Sequence, residues 1–184
     1  PIAALIGKKK IMEEAKNSFI SSTNWTERLG PACAVEFIKK HEKINLGKTL
    51  IEKGKKIRKI WIKAAKKSGI VFQQTKPLGP SCLHKSNQSI DLKKTPRLEI
   101  SGIEPLSSFK IVTDNPKDWP IILTYFIQEM LKYGILASDR CYSNYCQTNK
   151  LLQKYEKACV DVFKKISIHL RKKNLKSQLK GPIK

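Results

Sequence analysis

The stretch Leu46–Ser68 constrains the fold of this chain more than any other. Leu46, Leu50, Ile57, Trp61 and the pair Ala64/Ala65 recur at helical spacing, while Lys53, Lys55, Lys56, Arg58, Lys59, Lys63, Lys66 and Lys67 crowd the remaining positions. An apolar stripe of that period, with charge on the other faces, makes a long amphipathic helix that must lay its stripe against a larger surface. Gly69 stops it, because glycine takes the left-handed backbone at a helix end without a Cβ clash. A second long stripe follows near the C-terminus: Leu151, Leu152, Tyr155, Ala158, Cys159, Val162, Phe163 and Ile166, with Thr148 placed to cap it.

Between the two helices the period changes. Leu98–Ile100 and Phe109–Ile111 alternate apolar and polar residues, so two antiparallel strands with a Pro-containing link are expected. Asp118 then caps a helix with Pro120 in its first turn, whose apolar face is Ile122, Leu123, Phe126, Ile127, Met130 and Leu131 and whose end is Gly134. Ile135–Ser138 reads as a short third strand. Three short strands and a helix are thus expected here.

Upstream, residues 2–7 form a short apolar run that reads as a buried strand, and Lys8–Lys16 a short helix with Ile11, Met12 and Ala15 on one face. From Leu29 to Ile44, Cys33, Ala34, Phe37 and Ile38 again recur at helical spacing. Ahead of that helix stand four hydroxyl side chains, Ser21, Ser22, Thr23 and Thr26, and small residues Gly30, Ala32 and Ala34 follow. Hydroxyls beside the free amides of a helix start suit an anion such as phosphate; the plainer reading is that Thr23 or Thr26 caps the helix. Residues 73–96 are rich in proline and small polar residues and cannot bury enough apolar surface to offset chain entropy, so they read as a long polar loop carrying Cys82 and His84.

Composition narrows the classes. The chain of 184 residues is long enough for one domain with a core, or for a small domain plus part of another. Thirty-seven Lys+Arg against 15 Asp+Glu give a formal charge of +22, which raises nucleic acid or an anionic membrane as a partner. The charge is mostly lysine, without the Arg/Asn of base-edge readers or the interleaved aromatics of single-strand binders, so a solvated lysine surface is the more economical account. Five cysteines, an odd number without a CxxC spacing, the nearest pair Cys141 and Cys146 far in sequence from His84 and His169, are a weak signal for zinc and fit reduced thiols in the cytoplasm better. No apolar run approaches the ~18 residues of a membrane span, and no signal peptide pattern stands at the start.

The words Pro1–Met12 (PIAALIGKKKIM) and Phe19–Pro31 (FISSTNWTERLGP), with Gly102–Phe109, Gln128–Ser138 and Cys141–Thr148 following in order, resemble class III pyridoxal-phosphate-dependent aminotransferases, closest to the glutamate-1-semialdehyde aminomutase-like branch. The resemblance implies the C-terminal portion of a fold-type I enzyme with mixed α/β and α+β architecture. Residues 1–45 would end the pyridoxal-phosphate-binding large domain, 46–72 would be a linking helix, 73–97 an insertion, 98–170 the small α+β domain with a three-stranded antiparallel sheet and 171–184 a fraying basic tail. It also implies that Thr26, with the amides around Trp25, touches the cofactor phosphate of the neighbouring subunit in a homodimer, and that Trp25 and Glu27 border the substrate entrance. The substrate class it implies is an amino acid or amino sugar.

The family's Schiff-base lysine lies upstream of the segment matching Pro1–Ala4, so Lys8, Lys9 and Lys10 do not take that role, and no catalytic residue is assigned within the chain. Gln147 stands where the family has a histidine near the active-site mouth. Amino transfer requires a lysine holding the cofactor as an imine and an acid on the pyridine nitrogen. The chain supplies neither, so it is expected to be inactive alone. The readings that compete with an aminotransferase or aminomutase portion are a basic nucleic-acid-binding module and a non-productive gene remnant.

Overall fold

The fold is described from a computed structural model that covers residues 5–19, 27–74 and 96–183. The chain divides after Gly47 into two units. In the first, α1 (Lys9–Ala15) and α2 (Leu29–Lys43) form where the periodicity places them. Neither helix buries a residue: Phe37 and Ile38, on the expected apolar face of α2, are 61% and 57% exposed.

The second unit holds the core. It contains nearly all of α3 (Leu46–Lys67), then β1 (Val71–Gln74), β2 (Arg97–Ile103), β3 (Leu106–Val112), α4 (Asp118–Leu131), β4 (Arg140–Tyr142) and α5 (Asn149–Arg171). The strands form one sheet in the order β1-β2-β3-β4. The coarse expectation of an α+β unit stands, but the sheet is four-stranded, not three-stranded, and not wholly antiparallel. β1 pairs in parallel with β2, Phe72 opposite Leu98, and the other two pairings are antiparallel. Gln73 and Gln74, read as the start of the polar loop, belong to β1, and Arg97, the last residue of the expected 73–97 insertion, begins β2.

Register decides which face is covered. Leu98 pairs with Ile111 and Ile100 with Phe109, and all four are buried; the next positions along each strand, such as Ser101 and Lys110, are exposed. Phe109 is the hub of the covered face. Its ring lies 5.0 Å from Trp61 of α3, 5.1 Å from Phe126 of α4 and 5.6 Å from Phe163 of α5, so all three helices sit on one side of the sheet. Trp61 is wholly buried without an orphaned donor, because its Nε1–H donates to Tyr155 Oη at 2.8 Å.

Three expectations are corrected here. Ile135–Ser138 is not a strand: Ile135 N bonds back to Met130 O to finish α4, Gly134 takes φ +66, and the strand comes later at Arg140–Tyr142. The buried face of α4 is Ile122, Tyr125, Phe126, Glu129 and Met130, with Leu131 exposed, and Asp118 is the first helical residue after N-cap Lys117. The segment after Arg171 is docked, not frayed: Leu175 is buried, Lys176–Gln178 form a 3-10 turn, and the Gln128 side chain donates to Gln178 O and accepts from Lys180 N.

Candidate functional site

Thr26 and Trp25, on which the phosphate reading rests, lie outside the described residues, as do Ser21, Ser22 and Thr23. The helix they lead into is described. Its N-cap is Arg28, whose side chain makes no capping bond, and its first turn holds no acid. Leu29 and Gly30 carry N–H groups at the positive end of α2, while Pro31 carries none. Glu27 is exposed.

The other segment that the resemblance places near an active-site mouth is the loop Cys141–Thr148. Three sets of bonds hold it. Lys53 of α3 donates to the carbonyls of Asn144 and Tyr145 and lies over the Tyr145 ring at 5.5 Å. Ser143 N donates to Pro105 O at 2.8 Å, which ties the loop to the β2–β3 turn. Gln147 closes it internally, accepting from Asn144 N at 3.1 Å and donating to Tyr142 O at 3.2 Å. Gln147 thus works as a clasp of backbone groups. Thr148 caps α5 as expected, accepting from Leu151 N.

Behind the loop is a small cavity of about 170 Å3 lined by Ile57, Leu136, Arg140, Cys141, Gln147 and Tyr155, among others. Burial pushes the Cys141 thiol above its ordinary pKa, against a weaker opposing effect of Gln147, so its thiolate is scarce near neutral pH. Burial likewise pushes Tyr155 and Cys159 up. Nothing in this cavity is tuned as a nucleophile. Ser143 Oγ is the one buried side-chain oxygen or nitrogen without a hydrogen-bond partner among the described residues.

The lysine-rich face of α3 separates into two sets. Lys53 pins the loop, Lys56 donates to Asn149 Oδ1 at 3.0 Å, Lys63 pairs with Glu156, and Arg58 donates to Ser107 Oγ and Gly102 O, both at 2.7 Å. These four tie α3 to β2, β3, the loop and α5, a role that counting charges along the helix missed. Gly54 makes that docking possible, since a Cβ there would overlap the Glu104 carbonyl. Lys55, Lys59, Lys66 and Lys67 remain exposed. A groove of about 530 Å3 between α3 and α5 contains Lys56, Lys59 and Lys63, but Glu156 and two amides share it.

No group of three or more His, Cys, Asp or Glu side chains that could hold a metal occurs among the described residues, and no described helix is long and apolar enough to cross a membrane. Cys33, Cys141, Cys146 and Cys159 are free. Comparison with known proteins finds no family, no curated protein and no solved structure that matches this chain.

Proposed function

We propose that this chain is the C-terminal part of a pyridoxal-phosphate-dependent aminotransferase or aminomutase of the class III type, contributing to a dimeric enzyme that acts on a small amino compound. The observation that carries the reading is the meeting of two resembling words. Gly102–Phe109 forms the β2–β3 turn and Cys141–Thr148 the loop beside it, and Ser143 N to Pro105 O at 2.8 Å joins them. The second of these words is the one whose family counterpart lies near the active-site mouth, and the bond sets the small-domain word beside it.

Pyridoxal phosphate, when bound, supplies the electron sink for amino transfer. Thr26 and the amides about Trp25 would hold its phosphate, α2 offering an N-terminus with no side-chain cap from Arg28. The loop Cys141–Thr148 would form a firm wall at the mouth. The lysine and the pyridine-pairing acid come from outside this chain.

The test is the reading frame upstream of Pro1, expressed together with this chain. The expected result is an in-frame lysine in a Lys-x-x-Gly-x-Gly-like context, and a yellow dimer that loses cofactor when Thr26 is changed to Val. Absence of that lysine, or cofactor retention indifferent to Thr26→Val, overturns the reading. The 184-residue chain alone is expected to take pyridoxal phosphate only at scattered surface lysines after borohydride reduction; one stoichiometrically labelled lysine would contradict the assignment.

A further inference from the structure

The loop Cys141–Thr148 has two fixed ends and a middle that only a few side chains hold. Upstream, β4 pairs with β3, Cys141 opposite Ser107, so Cys141 lies on the covered side of the sheet. Downstream, Thr148 caps α5 and Lys56 donates to Asn149 Oδ1 at 3.0 Å. Between these ends Asn144–Gln147 form a tight turn that closes on itself, with Gln147 N bonded to Asn144 O and Asn144 N to Gln147 Oε1. Asn144, Tyr145 and Cys146 are exposed, so the tip has no apolar anchor among them.

Three connections join this middle to the rest of the unit, and they are unequal. Ser143 N donates to Pro105 O, and Gln147 Nε2 is shared between Tyr142 O at 3.2 Å and Cys141 Sγ at 4.0 Å. Both are neutral. The third is Lys53, which reaches the tip from α3 and gives its ammonium to the Asn144 and Tyr145 carbonyls and to the face of the Tyr145 ring. Bonds from a charged donor are about twice as strong as neutral ones, and the ring adds to them. No ion pair among the described residues takes Lys53. Its own helix is fastened to the sheet through Arg58, so the charge acts from a fixed base.

The closed loop also carries an opposing cost. Ser143 Oγ is buried with no hydrogen-bond partner, a loss that contact with water would remove. One charged side chain thus holds down a segment whose closed form leaves a hydroxyl unsatisfied, and local opening is drawn from such weakly held segments.

We propose that Lys53 is a latch and that residues 143–147 are a cover, which opens on its release onto the cavity behind. The turn Asn144–Gln147 moves as one piece, keeping its internal bonds while Gln147 leaves Cys141 and Tyr142 and Ser143 N leaves Pro105. The space of about 170 Å3 beside Ile57, Leu152 and Tyr155, and the Cys141 thiol that lines it, then meet solvent. The device rests on contacts within this unit and stands apart from the amino-transfer reading.

The test is alkylation of the full native chain by iodoacetamide, followed cysteine by cysteine with mass spectrometry. Cys33 and Cys146 are exposed and Cys159 is buried, so they mark the open and closed limits. Cys141 is expected to react more slowly than Cys146. Lys53→Met, which keeps the stem and removes the ammonium, should quicken Cys141 relative to Cys33 about tenfold, a shift of about 1.4 kcal/mol toward the open form. Cys159 should not change, and Lys53→Arg should stay near the parent rate. Ser143→Ala removes the orphaned hydroxyl and should act the other way, slowing Cys141. In Lys53→Met the Ser143 amide should also exchange faster by NMR, in step with Cys141. Equal rates at Cys141 and Cys146 in the parent, a Cys141 rate indifferent to Lys53→Met, a Ser143→Ala variant that is no slower, or Cys159 quickening together with Cys141, which means unfolding of the whole unit, would each overturn the proposal.

Discussion

The helices α2 and α5 carry the same kind of apolar stripe, yet they end in opposite circumstances. α5 buries Leu152, Ala158, Cys159, Val162, Phe163, Ile166 and Ser167 beneath a sheet and two other helices, whereas α2 buries nothing. The difference shows what an amphipathic pattern specifies. It names the face that seeks burial but not the surface that will cover it, and α2 has no sheet among the described residues of its own unit. Stability is therefore concentrated downstream of Gly47.

Separating the units tests that contrast most severely. A chain beginning at Leu46 should keep a cooperative thermal transition at the midpoint of the full-length protein, and limited proteolysis of the full chain should remove residues 1–47 first. Loss of the transition on truncation would show that the upstream helices contribute to the core. Single side chains sharpen the same comparison. Phe163→Ala, at the aromatic hub, should cost about 3–5 kcal/mol in urea unfolding, whereas Phe37→Ala on α2 should stay within about 0.5 kcal/mol. A cost above about 1 kcal/mol for Phe37→Ala would mean that α2 is covered in solution.

Gly54→Ala is expected to cost about 2–3 kcal/mol, because the added methyl meets backbone of the β2–β3 turn and not a movable side chain. Gly47→Ala, where nothing lies near the new carbon, should be neutral or slightly stabilising.

Glu129 comes next in size. Its carboxylate is 2% exposed and accepts from Lys132 and, at 3.2 Å, from Lys165; Lys165 also pairs with Asp161 at 2.8 Å, and Tyr133 Oη donates to Asp161 at 2.6 Å. Burial pushes the Glu129 and Asp161 carboxyls up. Bonds from the lysines, with Gln128 helping at Glu129 and Tyr133 at Asp161, outweigh burial and hold both below the carboxylate range. Their contribution to stability is thus present above the unfolded-state value of about 4 and lost as pH falls through the lower folded values. The bond to Asp161 chiefly, then that to Glu129, raises Lys165 against the opposing effect of burial. Its contribution is present below about pH 10 and lost as pH rises through the higher folded value. Urea midpoints should therefore be level between about pH 5 and 9 and fall on both sides. Glu129→Gln should cost about 1–2 kcal/mol at neutral pH and flatten the acid limb. An unchanged acid limb would assign it to other carboxylates.

Much of this fold was legible in the sequence, and the failures share a cause. The helix bounds near Leu29, Leu46, Asp118 and Asn149, the Gly69 and Gly134 stops and the Thr148 cap are local signals, and they appear where expected. β1 was missed because Val71–Gln74 is too short to show alternation and pairs with a strand more than twenty residues away. Glu129 was missed on the buried face of α4 because a charge reads as solvent-facing until its lysines, one of them 36 residues away, are in place. The docked end after Arg171 was missed because lysines at Lys172, Lys173 and Lys176 hid the apolar anchors Leu175 and Leu179. The candidate site was legible only as words: Gln147 read as a departure from a pattern, and its clasp of three backbone and sulfur partners is a property of the closed loop.

The smallest expected effect separates two neighbours on α3. Arg58 and Lys59 look alike in sequence, but Arg58 is half-buried and satisfies both Ser107 Oγ and the Gly102 carbonyl, while Lys59 is exposed. Ser107 in turn is buried and donates toward the Ile103 and Glu104 carbonyls, so removing the guanidinium takes one partner from a small buried network. Arg58→Ala should cost about 1–2 kcal/mol, and Arg58→Lys should recover only part of it, because an ammonium cannot reproduce the planar fork that reaches both acceptors. Lys59→Ala should change stability by less than about 0.5 kcal/mol. If the two alanine variants unfold together, α3 is not fastened to the sheet through Arg58.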